Sequence, residues 1–152
     1  MPFDFSIRDY DDQYKDALMD ISLPWLEGND LLEPADIDQL THPERVLAAG
    51  GRIFLAMAEG KPVGMMMLEP FGNGVAEPFK FGVLEAYRNH GIGKALMEAT
   101  IDAARAMGVH TLVLTSHSLK AALHIYESYG FRYEDHDHVA FELSDIAMKK
   151  EL

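Results

Sequence analysis

The stretch that decides the fold covers residues 79–97 and reads FKFGVLEAYRNHGIGKALM. Its apolar start predicts a strand, and the apolar residues from position 92 onward recur at the spacing of a helix face. Arg88-x-x-Gly91-x-Gly93 lies at the junction. Glycines let a backbone approach a ligand closely, and the unpaired N–H groups of a helix start suit a pyrophosphate. The stretch therefore predicts a phosphate-binding loop between a strand and a helix, with an ordinary glycine-containing turn as the alternative.

Two other phosphate-binding motifs do not fit this loop. A dinucleotide fingerprint, G-x-G-x-x-G, requires a third glycine where Leu96 stands. A P-loop, G-x-x-x-x-G-K-[ST], requires glycine in place of Arg88 and Ser or Thr in place of Ala95. The loop therefore belongs to neither of these nucleotide-binding classes.

Outward from this stretch, the sequence predicts one α/β domain over residues 1–152. We expect a mixed, mostly antiparallel sheet of about six to seven strands, with about four helices on both faces. Pro24 is expected to end or kink the first helix, and Gly50 to follow the second. The strands are expected near residues 3–7, 52–58, 63–68, 76–83, 111–115 and 131–141, and the helices near 11–26, 34–49, 92–106 and 118–129.

The composition limits the class of protein. Hydrophobic residues make up 48% and charged residues 25% of 152 residues, as in ordinary globular domains. No apolar run approaches the roughly 20 residues that span a bilayer, and the first residues do not resemble a signal peptide. We therefore expect no membrane partner and a cytoplasmic location. The absence of cysteine excludes disulfides, thiolate metal sites and a cysteine nucleophile.

The charge balance concerns binding partners. The chain carries 13 basic and 25 acidic residues, a formal net charge of −12. Proteins that bind nucleic acid usually present a basic face, so we expect no nucleic-acid partner. The field of such a protein attracts a cationic substrate such as an amine. The alternative is that the acidity only keeps the protein soluble.

A second motif supports a family resemblance. Residues 122–131 read ALHIYESYGF, which contains A-x-x-x-Y-x-x-x-G-F. Together with Arg88-x-x-Gly91-x-Gly93, in this order and spacing, it resembles the GNAT superfamily of N-acetyltransferases, whose acyl-CoA loop reads [Q/R]-x-x-G-x-[G/A]. The resemblance covers nearly the whole chain. It implies acetyl-CoA (coenzyme A) as the acyl donor and requires no metal.

The resemblance also implies where the donor binds. The strand with Phe81, Gly82 and Val83 would splay from strand 111–115, and the pantetheine arm would pair with it in the gap. A backbone N–H near Gly82 or Val83 would polarise the thioester carbonyl. The pyrophosphate would be held by the loop and helix start, namely Arg88, Asn89, His90, Gly91, Ile92, Gly93 and Lys94.

One position departs from the family pattern. Many members carry Asn early in the fourth helix, whereas the corresponding stretch here is Ser116-His117-Ser118-Leu119. Ser116 or Ser118 is expected to replace its hydrogen bond to the cofactor. Leu119 is grouped with Ser116 among the expected cofactor contacts.

Tyr126 matches the family tyrosine that protonates the departing thiolate. A phenol suits this role because its usual pKa of about 10 keeps it protonated at neutral pH. The alternative is an aromatic ring that only packs against Leu123 and Phe131. Tyr129 is the second candidate for the acid.

Glu77 is the first candidate for the general base. It lies six residues before Val83, an offset that resembles the catalytic glutamate of the histone-acetyltransferase branch. Strand alternation places it on the same face as Phe79, Phe81 and Val83, unless a bulge intervenes. Burial there would raise its pKa. Glu69 is the second candidate, and a strand-edge or substrate-binding role for Glu77 is the alternative.

The sequence says less about the acceptor pocket and about the role of the histidines than about the donor site. In this fold the acceptor pocket involves the first two helices and their loop, where Trp25 and three carboxylates lie, those of Glu27, Asp30 and Glu33. Trp25 either lines that pocket or anchors its helix. His136-x-His138 would put two imidazoles on one strand face, but no third ligand supports a metal site.

The sequence thus predicts an acetyl-CoA-dependent N-acetyltransferase that acts directly on a primary amine of a small molecule. A non-catalytic acyl-CoA-binding sensor is one alternative, and acetylation of a protein or tRNA is another. The acidic balance speaks against tRNA. Sheet edges in this fold often pair, which would give a homodimer, but the sequence leaves the oligomeric state open. The sequence leaves open the acceptor and the length of the acyl group.

Overall fold

The computed structural model describes residues 3–116, 122–135 and 145–152. In these ranges seven strands form one sheet in the order β1-β2-β3-β4-β5-β7-β6. β4 and β5 are parallel, and the other neighbouring pairs are antiparallel. This confirms the predicted mixed, mostly antiparallel sheet. The strands are β1 (Ser6–Asp9), β2 (Arg52–Ala58), β3 (Lys61–Gly72), β4 (Val75–Val83), β5 (Thr111–Ser116), β6 (Arg132–Tyr133) and β7 (Ile146–Glu151).

Five α-helices occur in the described part of the chain, and none of them is long and apolar enough to cross a bilayer. The predicted helix over residues 34–49 is two helices, because Pro43 begins a new one after His42. Of the two outcomes expected at Pro24, an end or a kink, the end does not occur, since Pro24 lies inside the first helix, which continues to Gly28 with Leu18 and Ile21 buried. The helices are α1 (Lys15–Gly28), α2 (Pro34–Thr41), α3 (Pro43–Ala48), α4 (Ile92–Ala106) and α5 (Leu123–Ser128).

The sheet separates two hydrophobic cores, as the predicted helices on both faces require. Alternating residues of β3 show the division: Met65 and Met67 pack with the side chains of α1–α3, and Met66 packs with those of α4 and α5. All three methionine side chains are fully buried. The run of methionines is therefore strand core, as expected for residues that point alternately to the two faces.

The sheet opens between β4 and β5. In the described residues these strands pair only at Val75↔Thr111 and Ala76↔Leu112. Further along, β4 contains a bulge, where Lys80 and Phe81 together lie opposite Met66 of β3. The bulge bends the strand and increases its twist. The splay that the family resemblance implies is therefore present in this chain.

The bulge also corrects one expectation about β4. Glu77 and Phe79 were predicted to share a face with Phe81 and Val83. Phe79 instead packs against the core of α1–α3, whereas Phe81 and Val83 pack on the side of α4. The extra residue, Lys80, has a left-handed φ of +51° and reverses the alternation.

Candidate active site

A cleft of about 660 Å³ lies where β4 separates from β5. α1 and the loop before α2 border one end, and the starts of α4 and α5 border the other. His90 does not line it, and Leu119 lies outside the described residues. The other predicted site residues line this cleft together: Glu77, Phe81, Gly82, Val83, Arg88, Asn89, Gly91, Ile92, Gly93, Lys94, Ser116 and Tyr126.

Two glycines, Gly91 and Gly93, lie in the glycine loop, by which we mean residues 88–93 at the start of α4, and they have different roles. Gly91 is the N-cap of α4 and has φ +86°, a conformation that costs little only for glycine. Gly93 lies inside the first turn, and a Cβ there would come within 2.7 Å of Ile125 Cδ1 and 3.3 Å of Phe81 Cζ. Gly91 therefore allows the chain to turn into the helix, and Gly93 allows α4 to approach α5 and β4.

Positive charge lies beside this loop. Arg88 and Lys94 both line the cleft. The Nε of Arg88 donates a hydrogen bond of 3.0 Å to the carbonyl oxygen of Val83, the last residue of β4. Two cations and the positive end of the α4 dipole thus meet at the same end of the cleft, an arrangement that suits a pyrophosphate.

Glu77 is a buried carboxyl group with an exposed fraction of 8%. Burial raises its pKa to about 7, and the charge of Glu69, directly opposite on β3, acts in the same direction. The backbone N–H of Thr115 and the charge of Lys80 oppose this shift. At neutral pH such a group exchanges a proton readily, which is what a general base requires. Glu69 itself does not line the cleft.

Tyr126 is also buried, with an exposed fraction of 5%. Its ring contacts those of Phe81 and Phe131, with centroids 5.9 and 5.7 Å away. Burial raises its pKa, and the charge of Glu77 raises it further, so the phenol stays protonated. Tyr129, the second candidate for the acid, lies outside the cleft, and its hydroxyl donates to Glu98 Oε1 at 2.8 Å.

The end of the cleft at α1 and the loop before α2, where the acceptor was expected, is lined mainly by apolar side chains, those of Ile21, Trp25, Leu26, Leu31 and Phe79. The carboxylate-bearing Glu33 also lines it, whereas the exposed Glu27 and Asp30 do not. Of the four residues predicted for this end, the structure therefore brings two to the cleft.

Sequence reasoning missed a buried ion pair on the cleft wall. Lys80 Nζ lies 2.5 Å from Asp36 Oδ1, and the two side chains are 9% and 3% exposed. Burial lowers the pKa of Lys80, and Asp36 opposes that shift. Asp36 also accepts a hydrogen bond of 2.8 Å from the backbone N–H of Glu33. The pair joins the start of α2 to the bulge of β4 and so fixes the wall at this end of the cleft.

The predicted His136 and His138 pair lies outside the described residues. Within residues 3–116, 122–135 and 145–152, no three His, Asp or Glu side chains are grouped as metal ligands would be. The sequence expectation of a metal-free site stays a prediction.

Known proteins share this architecture. No curated protein matches the sequence significantly. A GNAT-family acetyltransferase from Staphylococcus aureus Mu50 superposes with a TM-score of 0.89 at 22% identity, covering 97% of this chain and 99% of the other. The PaiA N-acetyltransferase from Thermoplasma acidophilum, solved with coenzyme A, has a TM-score of 0.79 at 17% identity and coverages of 99% and 100%. Such likenesses show the fold.

A third solved structure agrees with these two. A GNAT-superfamily phosphinothricin acetyltransferase from Sinorhizobium meliloti, solved with AcCoA, has a TM-score of 0.78 at 18% identity, covering 97% of this chain and 88% of the other. In sequence, residues 11–131 match the family model "Acetyltransferase (GNAT) family". This match includes both motifs and every described element from α1 to α5. The chain therefore belongs to the GNAT family of acetyltransferases.

Proposed function

We propose that this protein is an N-acetyltransferase that moves an acetyl group from acetyl-CoA directly to a primary amine of a small molecule. The observation that carries the proposal is the presence of Glu77 and Tyr126 on one cleft beside the open strand. Burial raises the pKa of Glu77 to about 7. Burial also raises the pKa of Tyr126, so its hydroxyl stays protonated. A proton acceptor and a proton donor are thus available at one site at neutral pH.

The residues of the cleft fit acetyl-CoA as the donor. The N–H groups at the start of α4, together with Arg88 and Lys94, suit its pyrophosphate. The edge of β4 from Phe81 to Val83 lies beyond the last residue that pairs with β5 in the described structure, and suits the extended pantetheine arm. When bound, acetyl-CoA supplies an acyl thioester that an amine can attack.

The side chains have complementary roles in the transfer. Glu77 accepts the proton that the amine loses when its nitrogen bonds to the acetyl carbon. Tyr126 donates its hydroxyl proton to the sulfur as the carbon–sulfur bond breaks. A backbone N–H of Gly82 or Val83 stabilises the negative charge that develops on the acetyl oxygen.

Two features favour a small acceptor with an amino group. Trp25, Leu26 and Leu31 line the acceptor end from α1 and the segment after it, so the acceptor end has side walls. Glu33 adds negative charge there, which attracts a protonated amine. The cytoplasmic location expected from the sequence stays a prediction, and the oligomeric state stays open.

The experiment measures thiol release from acetyl-CoA with a thiol-reactive dye, across a panel of small primary amines and a peptide with a free amino group. The protein has no cysteine, so it contributes no background signal. We expect release with one class of small amine. Tyr126→Phe keeps the ring packing but removes the proton donor, so kcat should fall about 100-fold or more.

Tyr129→Phe is the matched control, because the Tyr129 hydroxyl donates to Glu98 Oε1 and to the backbone carbonyl of Lys94 but does not line the cleft, so its loss should leave kcat unchanged. Release with the peptide but with no small amine would show a protein acceptor instead. Acetyl-CoA binding without release from any acceptor would show a sensor module. Both results contradict the proposal.

A further inference from the structure

An aromatic cluster of Phe3, Tyr87 and His90 contacts the loop Arg88–Gly91, and of these three residues Tyr87 also lines the cleft. The ring of Phe3 stacks on His90, with centroids 4.3 Å apart and planes at 22°. The same ring meets Tyr87 edge-on, at 5.8 Å and 61°. Tyr87 and His90 flank Arg88 and Asn89, so one side chain from the N-terminal segment contacts the loop on both sides of these two residues.

The cluster is anchored to the turn between β2 and β3. The hydroxyl of Tyr87 donates a hydrogen bond of 3.0 Å to Glu59 Oε2. Lys61 Nζ lies 5.4 Å from the centroid of the same ring. Tyr87 is 8% exposed and is therefore fixed by the turn on one side and by Phe3 on the other.

The backbone of the loop needs such support. Asn89 has φ +67° and Gly91 has φ +86°, both in the left-handed region. This region is less favourable than the right-handed one for a residue other than glycine, although Asn adopts it more readily than most, and contacts with the surroundings help to hold the residue there. The stacked His90 lies between these two residues. Phe3 thus contacts His90. The backbone conformations of its two neighbours, Asn89 and Gly91, determine the direction of the loop N–H groups.

We propose that Phe3 is a positioning residue for the acyl donor: its ring holds the Arg88–Gly91 loop in the conformation that binds the pyrophosphate. The inference rests on the proposed function for the identity of that donor. Phe3 acts through His90 and Tyr87 and touches no reacting group. The pantetheine arm separates the pyrophosphate from the thioester, so loss of the Phe3 ring weakens donor binding and leaves the transfer step unchanged.

The test compares two donors, acetyl-CoA and S-acetylpantetheine, which carries the same thioester but lacks the pyrophosphate. Phe3→Ala should raise the KM for acetyl-CoA about three- to tenfold, the range expected for loss of aromatic contacts. The kcat, and the KM for S-acetylpantetheine, should stay within about twofold of wild type. This split separates positioning from general damage to the fold, which would affect both donors.

Phe5→Ala is the matched control, because Phe5 packs on the same core two residues along the chain. It should lower the melting temperature without a donor-specific change in KM. Phe3→Tyr keeps the stacked ring and should restore the wild-type KM, whereas Phe3→Leu should not. If Phe3→Ala does not fold, Phe3→Leu is used in its place for the KM measurements with both donors and for the calorimetry.

An equal rise in KM for both donors, or no rise for either, would overturn the positioning role. If the wild-type protein transfers no acetyl group, the proposed function fails, and calorimetry with coenzyme A tests the inference instead. A Kd that is higher in Phe3→Ala than in wild type supports the inference, and an unchanged Kd overturns it. If the wild type does not bind coenzyme A, both proposals fail.

Discussion

The burial of Glu77 lowers the free energy of unfolding of the protein at a pH where the carboxyl group would be ionised in water. A carboxyl group that is 8% exposed ionises less readily than in water, which is why its pKa rises to about 7. Asp36, although more deeply buried, has Lys80 as a direct partner. Glu77 instead faces a second carboxyl group, that of Glu69. Such an arrangement is typical of a group whose pKa serves a reaction.

Glu77→Gln should therefore make the stability of the protein less sensitive to pH. Between about pH 4.5 and pH 7 the unfolded chain ionises Glu77 while the folded protein keeps it neutral, so the wild type loses stability as the pH rises. A shift from 4.5 to about 7 corresponds to about 3 kcal/mol. Urea unfolding at pH 4 and pH 8 should show the variant gaining about this much over wild type at pH 8 only.

The control for this measurement is Glu85→Gln, which changes an exposed carboxylate and should leave the pH dependence of unfolding as it is in wild type. Identical pH dependence in wild type and Glu77→Gln would show that the buried carboxyl group has no raised pKa. The base role would then lose its physical basis.

At the scale of elements, the start of α4 depends on backbone conformation. Gly91 has φ +86°, and a Cβ there would meet nothing within 4 Å. Gly28, the last residue of α1, has equally open surroundings but no positive φ. The two glycines therefore separate the effect of conformation from the effect of space.

Gly91→Ala should destabilise the protein by about 1–2 kcal/mol, the cost of a left-handed alanine, and should also raise the KM for acetyl-CoA. Gly28→Ala should be neutral or stabilise by up to about 1 kcal/mol, because glycine in a helix is unfavourable. Urea unfolding of both variants measures the difference. Equal effects at the two positions would mean that the conformation of Gly91 does not hold the turn into α4.

Local signals explain which elements the sequence predicted well. The strand over residues 52–58 and the helix over residues 92–106 depend on residues next to one another in the chain, and the structure has both as predicted, whereas β3 extends beyond the predicted 63–68 to Lys61–Gly72. The glycine loop was found for the same reason. The break at Pro43 was missed because apolar spacing continues across residues 34–49.

Tertiary contacts explain what the sequence did not predict. At the bulge, two residues of β4, Lys80 and Phe81, lie opposite one residue of β3. No residue pattern in positions 77–83 predicts this extra residue. Glu77 reaches the cleft because β4 splays from β5, and not because strand alternation places it with Phe81. The contacts of Lys80 with Asp36, and of Phe3 with His90, join distant segments and leave no local pattern.

At the scale of the whole molecule, the cleft divides the sheet into two parts. β1 to β4 form one part, β5 to β7 form the other, and two residue pairs join them in the described structure. α4 contacts β2, β3 and β4 on one side and α5 on the other. The cleft is lined by β4 of the first part and by Thr115 and Ser116 of β5, so a ligand that fills it binds to the folded arrangement of both parts and not to the unfolded chain.

Acetyl-CoA should for this reason raise the melting temperature of the whole domain in one transition. At a concentration of about 100 times Kd the gain is about 2.7 kcal/mol, which corresponds to roughly 5–10 °C for a chain of this size. Adenosine 3′,5′-bisphosphate and pantetheine, measured separately, should each give a much smaller shift at the same concentration, because neither occupies both ends of the cleft. Calorimetry supplies the Kd, and a melting curve at increasing acetyl-CoA supplies the shift. A melting temperature that does not change up to saturation would contradict donor binding in this cleft, whereas two separate transitions would show that β4 and β5 belong to parts that unfold independently.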